Sequence, residues 1–175
     1  MKKLFITVVL ALLPSLIFAQ TAFDKFDGQD DVTSVIVNKK MFEMMGNVKN
    51  QESQQYLNLI KKLNNLKVFT TTSTRVTSDM KATAEKYIKT AGLEELMRIS
   101  EQGRNIKIMV KSGAGATQVR ELLMFMEGSG KNETVLMSLT GDFDLNDISL
   151  LTDKLKLPGG ENLKKAGKSK ANSSK

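Results

Sequence analysis

The sharpest cluster of oxygen ligands in the chain is Asp142-x-Asp144-x-Asn146. Acidic and amide side chains at alternate positions match the first three ligand positions of a helix–loop–helix calcium site. The match then breaks. Asp147 stands where that loop needs Gly, and Asp153 takes the twelfth position in place of the usual bidentate Glu. Asp144 has a simpler use, because an acid just ahead of an apolar-periodic segment caps a helix. Asp147, three residues on, makes an imperfect capping box. Asp142, Asp144 and Asn146 are thus candidate calcium ligands, and the expectation is a turn and a cap, with no metal and no cofactor.

Other chemistry-bearing patterns are weaker. Ser78-x-x-Lys81 and Lys111-Ser112-Gly113 echo acyl enzymes in which a Lys activates a Ser. No Ser-x-Asn element lies between them, and Ser78 with Asp79 reads as a helix start. Gly113-x-Gly115 follows a strand as in a dinucleotide loop, but Gln118 replaces the third glycine. Met41, Met44 and Met45 resemble a thioether cluster for Cu(I); with Phe42 beside them the expectation is core packing. Glu94 with Glu95, and Asp142 with Asp144, are carboxylate pairs expected on solvated faces or in caps. The chain has no His and no Cys. A Ser-His-Asp triad, a thiol nucleophile, and the ordinary zinc, haem and iron–sulfur sites are therefore excluded. A non-catalytic protein is expected.

The elements that position these residues begin after a leader. Lys2 and Lys3 precede an apolar run over residues 4–18 that is broken by Thr7, Pro14 and Ser15. Ala19 before Gln20 is an acceptable cleavage edge, with Ile17 less usual at the −3 position. This is the pattern of a secretory signal peptide, and the run is short of the roughly 20 residues that span a bilayer. Residues 1–19 are expected to be removed, with no stable membrane anchor left behind. The domain then covers residues 20–158, and residues 159–175 form a Lys-rich tail expected to be disordered.

The net charge of +7 sits mostly at the ends. The leader carries Lys2 and Lys3. The tail carries five Lys against Glu161, and +1 is left for residues 20–158. Nucleic-acid binders carry positive charge on the folded surface, so nucleic acid is not an expected partner. Each tail Lys offers about 1 kcal/mol near an anionic lipid surface. The tail is expected to solubilise and to be able to touch such surfaces.

Along the domain, Phe23 and Phe26 are expected to dock a short lead-in. Residues 31–37 are β-branched and strand-like. Asn38 caps a short helix that Gly46 ends, and residues 51–63 form a second helix with Tyr56, Leu59, Ile60 and Leu63 on one stripe, ended by Asn64 and Asn65. A strand follows over residues 66–74, then a helix from Ser78 to Gly92 with Met80, Ala84, Tyr87 and Ile88 on its stripe. Residues 93–102 and 119–127 fit either period. Their neighbours, the clean strands at 105–111 and 134–140, favour hairpins. Gly141 is expected to be the turn between the last strand and the helix capped by Asp144. The order β-α-α-β-α-β-β-β-β-α predicts an α+β fold, a mainly antiparallel sheet of about six strands with helices packed on one face.

Several stretches carry a family resemblance: FDKF, VTSVIVNKKMFEMM, EELMRI, ELLMFMEG and VLMSLTGDFDLNDISLL. The chain resembles the exported Bacteroidetes proteins known as domain of unknown function 4252. The likeness covers most of residues 23–155. It implies strands at residues 93–101 and 119–127, and it brings no catalytic residues. Many members look like lipoproteins; this chain has no Cys to carry a lipid. Association with stress-type sigma-factor genes implies an envelope-response role. The expectation is an exported domain, periplasmic or extracellular, that contacts an envelope protein or surface component. The alternative is a small-ligand or metal-ion binder using the open sheet face or the Asp142–Asn146 cluster.

Overall fold

The computed structural model describes residues 22–47, 53–101, 103–128 and 133–172, with side chains through Gly167. The leader expected over residues 1–19 lies outside the described residues. Six strands form one sheet: β1 (Thr33–Asn38), β2 (Leu63–Thr71), β3 (Glu94–Glu101), β4 (Arg104–Ser112), β5 (Gln118–Glu127) and β6 (Thr134–Asp144). Their order across the sheet is β1-β2-β6-β5-β4-β3, and every neighbouring pair is antiparallel. The helices are α1 (Lys39–Asn47), α2 (Gln54–Lys62), α3 (Thr74–Ala91), α4 (Ile148–Leu155) and α5 (Gly160–Asn172). The α+β class is as predicted. Both stretches that fit two periods, β3 and β5, are strands, and β3 to β6 form the expected meander.

The helices cover both faces of the sheet, which corrects the expectation of one. Strand β5 shows why. Leu122 and Met124 point into a core with Tyr56, Leu59, Ile60, Ile148 and Leu151, beneath α1, α2 and α4. Their neighbours Leu123 and Phe125 point the other way, into a core with Val76, Met80, Ala84 and Tyr87 of α3. A continuous apolar run, rather than an alternating one, marks a strand buried on both sides. Phe23 and Phe26 complete the second core. Phe26 packs 5.9 Å from Phe69 and Phe23 edge-on to Tyr87 at 4.9 Å, as ring-centroid distances. The lead-in docks as predicted.

Several boundaries differ from expectation. Helix α3 starts at Thr74, and Ser78 lies inside it, its hydroxyl donating to the Thr74 carbonyl four residues back at 3.0 Å. Gly46 lies within α1 rather than ending it; it is buried, and a Cβ there would meet the Lys61 side chain at 3.4 Å. Asn64 and Asn65 belong to β2, because α2 passes into β2 at Lys62 and Leu63 without a loop. That abrupt passage needs Gly141, which lies inside β6 and is not a turn: a Cβ there would sit 2.4 Å from the Lys62 carbonyl oxygen. Residues 160–172, expected to be disordered, form α5. Leu163 and Ala166 are fully buried against the first core, and an added Cβ at Gly167 would meet the Leu145 carbonyl oxygen at 2.9 Å. One apolar anchor per turn of an otherwise polar segment is enough to dock it.

Candidate interaction edge

The residues singled out for chemistry are mostly engaged in structure. Asp144 Oδ1 accepts from the Asn146 backbone N–H at 2.9 Å, and Oδ2 accepts from Thr117 Oγ1 at 2.7 Å. One carboxylate thus caps the short 3-10 turn Leu145–Asp147 ahead of α4 and ties the β5 approach to the end of β6. Asp147 accepts from Gln55 Nε2 at 2.6 Å and holds α2 to the same turn. Asp142 points into solvent from β6, and Asn146 is exposed. Among the described residues, no three His, Cys, Asp or Glu side chains converge as metal ligands. Lys81 pairs with Glu127 at 2.9 Å, away from the Ser78 hydroxyl's helical bond. Glu95 holds Arg98 at 2.5 Å. The Gly113 N–H donates to the Gln118 carbonyl at 2.8 Å, closing the β4–β5 turn.

A cavity of about 220 Å³ is lined by Lys81, Arg98, Asn105, Lys107, Phe125 and Glu127. Its cations already face carboxylates: Lys81 with Glu127, Arg98 with Glu95, and Lys107 with Glu85 at 3.8 Å. A wider cleft of about 460 Å³ opens between α4, α5 and the end of β4, with Thr152, Asp153, Arg104 and Lys164 on its walls. There too the chief cation is engaged, since Lys164 bonds Asp153 at 2.5 Å and Glu161 at 2.9 Å.

A buried polar pair lies under α3 where sequence reasoning placed only core. Tyr87 donates its phenol proton to Glu121 Oε1 at 2.7 Å, and both residues are buried. Burial pushes the Glu121 carboxyl above the usual range, against the opposing pull of the Tyr87 hydrogen bond and of Lys111. Burial, with Glu121 beside it, pushes the Tyr87 phenol far above its ordinary value. The signal for this pair was available: Glu121 is the lone acid at the head of the apolar run ELLMFM. Because the folded state holds the Glu121 proton more tightly than the unfolded chain, its contribution to stability is complete below the ordinary Glu value. It is lost as pH rises through the higher folded value. Glu121→Gln, neutral at every pH and still able to accept from Tyr87, should flatten the melting-temperature profile as pH rises above the ordinary Glu range. Parallel profiles for the two proteins would show that Glu121 keeps its ordinary titration.

The surface feature left without a structural task is the β1 edge. Val35 is 50% exposed, Ile36 43%, and Met41 and Met44 of α1 are 50% and 58% exposed. These are the large apolar side chains that the described surface shows most openly, and they lie together on β1 and the helix that follows it. The two methionines therefore do not fill the core as expected; Phe42 does, and Met45 packs against it in part. Asn38 Oδ1 accepts from the Met41 N–H at 3.0 Å, so the predicted cap fixes α1 directly after β1. Among the described residues β1 pairs with β2 alone, in six consecutive pairs without a slip. The outer backbone groups of an edge strand are open to another strand, and proteins usually guard such edges with charge, Pro or a bulge. Strand β3, at the far edge, is guarded: it carries Glu94, Glu95, Arg98 and Glu101 and slips register between Glu95 and Met97. Strand β1, TSVIVN, has none of these devices.

This is an α+β domain built on one antiparallel sheet with an unguarded apolar edge. A family model described as a domain of unknown function, DUF4252, matches residues 26–151, and the chain belongs to that family. No curated protein and no solved structure matches it.

Proposed function

We propose that the protein is an exported, non-catalytic domain of the periplasm or extracellular space that acts by binding another protein along β1, in an envelope-response system. The observation that carries this reading is the exposure of Val35 and Ile36 on an edge strand whose outer side pairs with no other strand among the described residues, with Met41 and Met44 exposed on the helix that follows it. Apolar side chains exposed on both faces of an edge strand suit strand addition, which supplies main-chain hydrogen bonds while the side chains supply selectivity. Asp144, Asp147, Ser78 and Lys81, among the residues singled out for chemistry, are taken up by caps, helical bonds and ion pairs, which supports a binding role over a catalytic one. The leader pattern and the absence of Cys support export without a lipid anchor, and the lysines toward the end of the chain add attraction to anionic surfaces.

Val35→Lys tests the reading. The site is half-exposed, so the melting temperature should hold within a few degrees, since surface changes usually stay within about 0.5 kcal/mol. In detergent-free extracts of expressing cells, the wild-type protein should elute above monomer size on gel filtration and the variant at monomer size. Monomer elution of both would overturn the proposal.

A further inference from the structure

The partner can be specified further, and this inference rests on the binding reading of β1. We propose that the strand that β1 accepts is β1 of a second copy of this chain, antiparallel, with Val35 opposite Val35 of the second copy. Two six-stranded sheets would then join into one of twelve strands. The self-complementarity of the edge carries the proposal. A two-fold axis normal to a sheet can pass through an antiparallel strand pair where a residue faces its own copy. Centred on Val35, the pairing sets Ser34 against Ile36 and Thr33 against Val37, and brings the turn Asp30–Asp31 before one strand beside Lys39 and Lys40, which open α1 after the other. Each acid before the strand meets a base after it, twice over by symmetry. Centred on Ile36, Asp31 would meet Met41 and Thr33 would meet Lys39. Centred on Ser34, Asp31 would meet Val37. The Val35 register is the one in which the charges match.

The flanking groups are available for it. Asp30, Asp31, Lys39 and Lys40 are all exposed, and their internal contacts are loose: Asp31 to Arg75 at 3.9 Å and Lys40 to Glu43 at 4.0 Å. The β1–β2 register places Val35 beside Val68, on the face that α1 covers. Met41 and Met44 of both copies would therefore rim the joined sheet on that same face. On the opposite face, Ser34 donates to Asp27 of the lead-in at 2.5 Å.

The protein contains no Cys, so a single introduced thiol is a clean probe. Directly opposed residues in an antiparallel pair have Cα atoms roughly 4.5–5.5 Å apart, within the disulfide range. Under mild oxidation, purified Val35→Cys should form a disulfide-linked dimer. Ile36→Cys, whose opposite residue is Ser34, should do so at least tenfold more slowly, and Arg98→Cys on β3 should serve as the uncrosslinked control. Light scattering of the wild-type protein should show twice the monomer mass at high concentration, and Val35→Lys should abolish it. Equal crosslinking rates at 35 and 36 would overturn the register. A wild-type mass that stays monomeric would overturn self-pairing. If Val35→Lys still removes a larger species from cell extracts in that case, binding of a different protein at β1 stands; if no larger species exists, both readings fall.

Discussion

Phe26→Ala is expected to destabilise the domain by about 3–5 kcal/mol, the usual cost of emptying a buried Phe site. The side chain is fully buried, ring to ring with Phe69, and Lys25 lies over its outer face at 4.9 Å. The loss should fall at the upper end of that range because the lead-in is a strap over the second core. Its 3-10 turn, Asp24–Phe26, also places Asp24 against the largely buried Lys67 of β2. Releasing the turn would also break that ion pair, at a further cost in stability. Phe26→Leu should recover most of the stability by refilling the site. Chemical denaturation of the three proteins checks the ranking. A Phe26→Ala protein within about 1 kcal/mol of wild type would show that the lead-in is not part of the core.

Gly141→Ala is expected to cost at least the ~1–3 kcal/mol typical of an overpacked core. The added methyl would lie 2.4 Å from the Lys62 carbonyl oxygen and 2.9 Å from the Leu63 Cα. Both neighbours are backbone, so no side chain can turn aside. The relief must come from separating β6 from the junction of α2 and β2, where Leu63 pairs with Gly141. For a domain of this size the melting temperature should fall by roughly 5–10 °C. Thermal melts of Gly141→Ala beside Gly115→Ala, where the crowding atoms belong mainly to the Gln118 side chain, separate backbone crowding from a general glycine effect. Equal small losses would contradict the close crossing.

The stretch of residues 134–157 was legible in outline. Its strand lies at the middle of the sheet between β2 and β5; Asp144 caps as expected, but it caps a 3-10 turn ahead of α4 and not the helix itself, and Asp147 makes no side-chain cap. What sequence reasoning missed was the long-range reason for each local choice. Gly141 looks like a turn because the residue that forbids a side chain there, Lys62, is far away in the chain. The two-sided burial of β5 was written in the unbroken run of residues 122–126, but the same run also fits a helical period. The docked α5 gives almost no periodic signal, since Leu163 stands alone among Lys, Gly and Asn. Strand β1 was read correctly as a strand from its β-branched residues. Its exposure follows from its place at the end of the strand order, a property of the topology and not of the six residues themselves. The candidate edge is therefore not legible in the chain, whereas of Asp142, Asp144 and Asn146 only the Asp144 side chain ties the fold together, at the end of β6.

The central claim, that β1 is where this protein meets another chain, is tested most directly by placing a photo-activatable amino acid at Val35 and, separately, at Arg98, and irradiating living cells that express the protein. The account predicts a discrete higher-mass adduct from position 35 and none from position 98, with an adduct of twice the monomer mass if the second chain is a copy. An adduct from position 98 with none from position 35, or no adduct from either, would contradict it.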